Sequence, residues 1–162
     1  MKEIVYFLKL DGIEGESIDE KYKGEIDVLS WSWGLSQTGT SGVSGGGGAG
    51  KAEIQSLQAV ATTSKASPKL MLACASGQHI KEAVLTAARK KKKGKLQEFV
   101  IVKLTDVMIS SYQISAGQGT PPVDSFSLNF TKIAFNYSAF KEDGSLDAPA
   151  TAGWDVKTNK SV

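Results

Sequence analysis

The segment SFSLNFTKIAFNYSAF, residues 125–140, indicates the fold class of this chain more clearly than any other. Apolar and polar residues alternate along it, which is the period-two pattern of a strand with one buried face. The alternation changes phase once, and a bulge at Thr131–Lys132 would keep both apolar sets on the core side. Those sets are Phe126, Leu128 and Phe130, then Ile133, Phe135 and Tyr137.

Four other segments also have the composition and patterning of strands. They are EIVYFLKL at 3–10, EIDVLSWSWGL at 25–35, IKEAVLTAAR at 80–89 and LQEFVIVKLTDVMIS at 96–110. In the second of them we predict one buried face, made by Leu29, Trp31, Trp33 and Leu35. Ile26 and Val28 are in the opposite phase, which predicts a twist or bulge near Val28–Leu29.

One short helix is well signalled by SPKLMLACASG at 67–77. Ser67 fits an N-cap, Pro68 the first helical position, and Gly77 the residue just past the end. We therefore predict a helix over about Pro68–Ser76. Its expected buried positions are Leu70, Leu72 and Cys74.

The segment KAEIQSLQAVATTS at 51–64 is ambiguous, because its first part suits a helix and its last part a strand. Many strands and one helix imply a mainly β fold, either a barrel or a sandwich. The chain has 162 residues, which suits one domain that can bury a core.

Composition excludes several classes of protein. The formal net charge is only +2, so no strong overall field favours nucleic acid or a membrane surface. The single cysteine, Cys74, cannot form an internal disulfide, which suits folding in a reducing cytoplasm. The N-terminal apolar run is too short for a signal peptide, and no run approaches the length of a membrane helix.

The stretch SGVSGGGGAGKAE at 41–53 fits part of a nucleotide-binding motif. Gly45, Gly50 and Lys51 satisfy G-x-x-x-x-G-K, but Ala52 stands where the motif needs a Ser or Thr to hold magnesium. The preceding residues also have a loop-like rather than a strand-like composition. A phosphate-binding loop over Gly45–Lys51 is therefore the alternative interpretation, and a glycine loop that serves another purpose is preferred.

The remaining motifs give no case for catalysis. The basic run RKKKKGK at 89–95 is interpreted as a solvated hairpin loop, because no aromatic residues are interleaved for stacking on bases. His79 and Cys74 are too few to hold a metal, and the carboxylates are scattered. We predict no enzyme, and no catalytic, cofactor-binding or metal site.

The ordered motifs resemble one family. EIDVLSWSWGLSQTG at 25–39, followed by GGGGAGK at 45–51, resembles the Hcp family of tube-forming proteins in bacterial type VI secretion systems. Four more pieces resemble that family in the same order. They are LDGIEGES at 10–17, SKASPKLMLACASGQHI at 64–80, SFSLNFTKIAFNY at 125–137 and GWDVKTNK at 153–160.

The resemblance implies one tube-subunit domain over residues 1–162, a compact β-barrel of two sheets with one helix alongside. It favours a strand for the ambiguous segment 51–64, and Lys51 would be the first residue of that strand. It also implies homo-hexameric rings that stack into a hollow tube, together with sheath and spike partners and small effectors carried in the lumen. Nucleic acid and membrane insertion are not expected. The implied location is cytoplasmic before firing and extracellular afterwards, reached without a signal peptide.

Two candidate surfaces follow from these expectations. The first is a subunit-interface loop between Gln37 and Gly50, where seven glycines allow close backbone approach. Its named residues are Gln37, Gly42, Gly45, Gly46, Gly47, Gly48 and Gly50. The second is a lumen position at Ser32, which alternates with the two tryptophans and so points away from the core.

Overall fold

The computed structural model describes residues 3–38 and 50–162. The strands before the helix are β1 (Ile4–Leu10), β2 (Ile26–Ser32), β3 (Leu35–Gln37), β4 (Ala52–Ile54) and β5 (Leu57–Thr62). The helix α1 spans Ser67–Ser76. The later strands are β6 (His79–Lys90), β7 (Leu96–Ser115), β8 (Val123–Asn129), β9 (Lys132–Tyr137), β10 (Ala150–Asp155) and β11 (Lys160–Ser161).

Six strands form a closed antiparallel barrel in the order β7-β6-β1-β2-β5-β8, with β8 pairing back onto β7. The 20-residue strand β7 belongs to two parts of the molecule. Its Met108–Ser115 part pairs with β8 and closes the barrel, whereas its Val100–Thr105 part pairs with β9. Strands β9, β10 and β11 therefore extend the sheet beyond the barrel, and β3 and β4 form a separate two-stranded sheet. The predicted mainly β barrel with one short helix is confirmed.

The core fills the barrel because alternate residues of each strand point inward. Helix α1 contributes Leu70 and Ala73 to the same cluster. The largest fully buried apolar side chains are Leu8, Leu57, Leu70, Ile80, Leu85, Val102, Leu104, Val107, Ile109, Phe126 and Leu128. With Ile26 and Val28 of β2, which are also buried, aliphatic residues from every barrel strand stabilise closure.

The predicted irregularity in β2 is confirmed, but the predicted buried face is partly wrong. The register to β5 shifts between Val28 and Ser30, so Leu29 is the extra residue of a bulge and is 56% exposed. Ile26 and Val28 are buried, and Trp31 packs against the core after the phase change. Leu35 belongs to the separate β3–β4 sheet and is 54% exposed.

The apolar pattern changes phase between β8 and β9 because the chain leaves the sheet there and begins a new strand. The predicted bulge at Thr131–Lys132 within one continuous strand is therefore wrong. Strand β8 ends at Asn129, and β9 starts at Lys132 on the other part of β7. Ile133 remains buried, but Phe135 and Tyr137 are exposed because β9 lies outside the closed barrel.

Helix α1 begins at Ser67, so the predicted N-cap role of Ser67 is wrong. The N-cap is Ala66, which makes no side-chain capping bond. Ser67 Oγ instead accepts a hydrogen bond from the Ser64 amide and donates one to buried Asp124. Gly77 ends the helix at a φ of 66°, as predicted.

The predicted buried face of α1 is only partly correct. Leu70 is buried, but Leu72 is 60% exposed, and Ala73 takes the second core position. Cys74 is partly buried.

The ambiguous 51–64 segment is extended, in agreement with the strand favoured by the resemblance. It holds β4 and β5, and β4 begins at Ala52, so Lys51 precedes the strand instead of starting it.

Candidate functional site

A two-stranded hairpin stands apart from the barrel and frames the glycine-rich segment. Strands β3 and β4 pair antiparallel, with Leu35 opposite Ile54 and Gln37 opposite Ala52. Thr38 Oγ1 donates a hydrogen bond of 3.1 Å to the Lys51 carbonyl oxygen, which ties the two strands together at the end nearest the glycines. The chain thus leaves and re-enters the described part of the structure at adjacent points.

Gly50 is required for this close approach. A Cβ atom at this position would lie 2.7 Å from Thr38 Oγ1 and 2.8 Å from the Thr38 carbonyl oxygen. Contacts this short involve backbone, so any side chain at position 50 would force the two strands apart.

The predicted interface residues fall into two groups. Gln37 lies at the exposed end of β3, and a Cβ at Gly50 would come within 2.9 Å of its Oε1 atom. Gly42, Gly45, Gly46, Gly47 and Gly48 lie outside the described residues.

The phosphate-loop alternative needs a helix directly after the lysine, because the helix N-terminus contributes the amides that hold phosphate. Lys51 is followed instead by β4, which pairs with β3. The described residues around Lys51 therefore lack the geometry of a nucleotide site.

Eight exposed polar side chains without charge lie on the outer side of four barrel strands, and we call this set the serine face. Ser32 lies opposite Gln58, and Gln58 lies opposite Ser127, which in turn faces Ser111. The exposed members of the serine face are Ser30, Ser32, Gln58, Thr62, Ser111, Gln113, Ser125 and Asn129. Ser32 thus belongs to a wide surface that has contributions from β2, β5, β8 and β7.

Hydroxyl groups hold the centre of the serine face in place. Ser127 Oγ lies 2.7 Å from Ser110 Oγ and 2.5 Å from Ser111 Oγ, at the bulge where β7 changes register against β8. Exposed sheet faces of monomeric proteins normally carry charged residues, which prevent association. These eight exposed side chains are polar and carry no charge, although the exposed Asp27 continues the outer side of β2.

Sequence reasoning predicted that Ser32 points away from the core, and its exposure agrees, but the reasoning did not give its neighbours on the other strands. The polar positions of SFSLN, residues 125–129, alternate as regularly as its apolar ones. This alternation of polar residues predicts an uncharged outer face on β8. It does not predict that β8 pairs with β5, because that pairing joins residues far apart in the sequence.

An apolar groove of about 300 Å³ lies between β3 and the strands β9 and β10, which extend the sheet beyond the barrel. Its lining includes Trp33, Leu35, Ile133, Phe135 and Trp154. Ile133 and Phe135 pair with Leu104 and Val102 of β7, so the groove continues the inward side of the barrel sheet past the point of closure. An exposed apolar surface of this kind is typical of an interaction site.

A partly buried hydrogen bond anchors the 14–25 segment to β7. The Tyr22 hydroxyl donates to Glu98 Oε1 at 2.6 Å, and Lys21 Nζ lies 2.6 Å from the same oxygen. Burial raises the pKa of Tyr22, and the bond to Glu98 raises it further. Burial alone raises the pKa of Glu98, but the hydrogen bonds from Lys21 and Tyr22 outweigh it and hold the pKa below its usual value.

The only histidine of the sequence, His79, is paired with a carboxylate. His79 Nδ1 lies 2.8 Å from Asp106 Oδ1, and Asp106 adopts a left-handed φ of 55°. Cys74 lies on α1 and is not part of this pair.

Within residues 3–38 and 50–162, no three His, Cys, Asp or Glu side chains are grouped so that they would hold a metal ion. The helix in this part of the chain is too short to cross a membrane.

Comparison with known proteins identifies the family. The model of the family described as "Type VI secretion system effector, Hcp" matches residues 7–137. Protein hcp1 of Pseudomonas aeruginosa is 39% identical over 156 residues, covering 94% of this chain and 95% of that protein.

Solved structures agree with this match. A structure described as a type six secretion system protein has a TM-score of 0.89 at 29% identity and covers 99% of this chain and 100% of its own. Hcp1 from Salmonella typhimurium has a TM-score of 0.77 at 31% identity, and the match covers 100% of both chains. The barrel, the separate hairpin and the family match agree, and the chain belongs to the Hcp family, the effector and tube proteins of type VI secretion systems.

Proposed function

We propose that this protein is a subunit of the inner tube of a type VI secretion system. Copies form hexameric rings, the rings stack into a hollow tube, and the tube is expelled with the spike. The serine face lines the lumen and contacts small effector proteins that travel inside it. The role is structural and requires no catalysis.

The observation that carries this proposal is the uncharged serine face on four adjacent strands. A channel wall that accepts different passengers needs hydrogen-bonding groups without fixed charges, because buried unpaired charges are costly. Serine and glutamine side chains donate and accept hydrogen bonds and adapt to either partner. Ser32 lies on this wall in the proposed ring.

The second supporting feature is the hairpin of β3 and β4. A ring closes head-to-tail when each subunit presents two different faces to its neighbours. The hairpin lies outside the barrel sheet, where it is free to reach a neighbour, and the apolar groove next to it offers a surface for packing. Gln37 and Gly50 lie at its end, with Gly42 and Gly45–Gly48 in the segment between them.

The proposal extends to partners and location. The whole chain, residues 1–162, acts as one tube-subunit domain that meets sheath proteins outside and a spike protein at the tip. The protein resides in the cytoplasm before firing and is then released by the apparatus.

Negative-stain microscopy and native mass spectrometry of the purified protein test this function. We expect six-fold rings with a central hole and a mass of six chains. Deleting residues 42–48 is expected to give monomers with an unchanged far-ultraviolet circular dichroism spectrum. Monomers of the intact chain at every concentration, or intact hexamers after the deletion, would contradict the proposal.

A further inference from the structure

Strand β10 leaves part of its backbone unpaired on one side. It pairs with β9 along its whole length, but on the other side β11 covers only Trp154 and Asp155. The Val162 amide adds one hydrogen bond of 3.2 Å to the Gly153 carbonyl oxygen. Among the residues that the structure describes, no strand lies beside the remaining residues 150–152, so the outer sheet ends there in an open edge.

The backbone groups that face the open edge are those of Thr151. Residues of an antiparallel strand direct their N–H and C=O groups to its two sides in alternation. The Gly153 carbonyl faces away from β9, because it accepts the bond from Val162. Val156 is in the opposite phase, since its amide donates to the Thr131 carbonyl at 2.7 Å on the β9 side. Thr151 is two residues before Gly153 and therefore offers one donor and one acceptor at the edge.

This edge has little protection against pairing with other chains. Exposed edges are normally blocked by lysines, inward-pointing charges, bulges or prolines. Ala150, Thr151 and Ala152 are all exposed and uncharged, and two of them have only a methyl side chain. Pro149 precedes the strand, so it limits the edge at one end without closing it. Edges of this kind bind a further strand through main-chain hydrogen bonds.

The matching edge is on β3. Each barrel strand and β9 has strands on both sides, and the two-residue β11 carries Lys160. In the described part of the chain, the other open edges belong to the β3–β4 hairpin. The three residues of β3 (Leu35–Gln37) are all exposed and uncharged, whereas β4 carries the charged Glu53.

The backbone of β3 offers the partners that Thr151 needs. The Gln55 amide donates to the Gly34 carbonyl at 3.1 Å, so Gly34 faces β4. By alternation, Leu35 and Gln37 direct their N–H and C=O groups to the other side, away from β4. Each of these two residues therefore presents a donor and an acceptor at the free edge of the hairpin.

The two edges do not meet within one chain. Strands β3 and β10 belong to separate sheets, and the apolar groove lies between them, lined by Leu35 of β3 and Ala152 of β10. Each copy therefore presents an unpaired strand and an open edge at different places, and a second copy brings them together.

We propose that β3 of one copy adds to the open edge of β10 in a second copy and lengthens its outer sheet by one strand. The inference rests on the proposed assembly into a tube, and it names the surface that receives the β3–β4 hairpin. Main-chain hydrogen bonds from Thr151 to Leu35 and Gln37 hold the contact. Because two different edges meet, the contact runs head-to-tail, as ring closure requires.

Disulfide trapping between two kinds of chain tests which strands meet. Full-length T151C chains are co-expressed with L35C, S36C or Q37C chains, all in a C74A background. We expect mild oxidation to link T151C to one of these three, because residues directly opposite each other on paired strands have Cβ atoms about 4.5–5.5 Å apart. A link to S36C indicates parallel strands, and a link to L35C or Q37C indicates antiparallel strands.

The matched control is T151C co-expressed with S76C, at an exposed position on α1, and this pair should stay unlinked. T151C chains expressed alone should also stay unlinked. Linked pairs of T151C with itself would show that two β10 edges meet, which overturns the proposal.

A proline at the edge tests the main-chain bonds. Thr151→Pro removes the N–H group that faces the open side and leaves the bonds to β9 in place. Edge strands tolerate proline, so the barrel should remain folded, which thermal melts check. We expect self-association to weaken about 10-fold in sedimentation velocity, whereas Thr151→Val keeps the N–H group and should associate as the wild type does. If T151P unfolds, the disulfide pairing alone decides.

The outcomes separate this inference from the proposed function. If six-fold rings form, but T151C links to no position of β3, the strand contact is wrong and the tube role stands. If T151C links to β3 but no six-fold rings form, the tube role fails and the strand contact stands. A folded T151P that associates like the wild type overturns the main-chain contact.

Discussion

The Tyr22 hydroxyl donates a 2.6 Å hydrogen bond to Glu98 Oε1 across 76 residues of sequence. The Tyr22 ring stacks on Phe7 of β1 with centroids 4.3 Å apart. Together these contacts fasten the connection between β1 and β2 to the outside of the barrel. The pair is partly shielded from solvent, so its contribution exceeds that of an exposed ion pair.

Replacing Glu98 by Gln is expected to lower the free energy of unfolding by about 1–2 kcal/mol at pH 7. The folded pKa of Glu98 lies below its usual value, so its contribution is present above the unfolded pKa and disappears as the pH falls through the folded pKa. The difference between E98Q and wild type should therefore shrink below about pH 4. Urea unfolding at neutral and acid pH measures it, with the exposed E142Q as control. A difference that is constant with pH would contradict the assignment.

Asp124 on β8 is linked through its buried carboxylate to β7, to α1 and to the loop that follows β5. Thr63 Oγ1 donates to it at 2.9 Å, Tyr112 Oη donates at 2.8 Å, and Ser67 Oγ also donates. In D124N an amide N–H₂ group would meet hydroxyl donors, so we expect a loss of about 1–3 kcal/mol and a lower melting temperature. D147N, at an exposed aspartate, is the control. Differential scanning calorimetry of both variants decides whether Asp124 has this role.

Gly50→Ala tests the close approach at the base of the β3–β4 hairpin. The new methyl group would lie 2.7 Å from Thr38 Oγ1, which forces the hairpin open. Because β3 and β4 do not belong to the barrel sheet, we expect a nearly unchanged melting temperature but weaker ring assembly. Gly117→Ala is the control, since its Cβ would meet Thr120 Oγ1 at an ordinary 3.5 Å. Light scattering after size exclusion reports the assembly, and wild-type rings from G50A would refute a role of the hairpin in closure.

The proposed lumen position of Ser32 is open to a distance measurement. In a six-fold ring the distance between neighbouring labels equals the distance of each label from the axis. Nitroxide labels on S32C, in a Cys74→Ala background, should therefore give shorter distances by pulsed electron resonance than labels on S76C, at an exposed position on α1. S125C, on the same face, should match S32C. Longer distances from S32C than from S76C would place the serine face outside the ring.

Local pattern predicted the strands well, because alternation and turn residues are local properties. Alternation alone predicted that Phe126 and Leu128 are buried. A change in its phase predicted the irregularity at Val28. The exposure of Leu35 was not readable, because it depends on β3 leaving the main sheet. Phe135 is exposed for a similar reason, since β9 extends past the closed barrel.

In the candidate site, too, local features could be predicted from the sequence and long-range contacts could not. Ser32 was predicted to point outward because it alternates with tryptophans, but its neighbours on β5, β8 and β7 depend on strand order. Ser67 has the residue type of an N-cap, yet a buried carboxylate 57 residues away engages its hydroxyl instead. Long-range partners of this kind override local preference, and a single sequence does not reveal them.

The dual pairing of β8 has a consequence for the order of events on the ribosome. Strand β8 joins β5 to β7, so the barrel has two open edges until residues 123–129 have emerged. The β6–β7 hairpin forms from adjacent residues, whereas closure needs contacts across more than 60 residues, as between Leu57 and Leu128. A nascent chain that pauses before β8 exposes strand edges to its neighbours on a polysome, and slow translation of this region therefore favours aggregation.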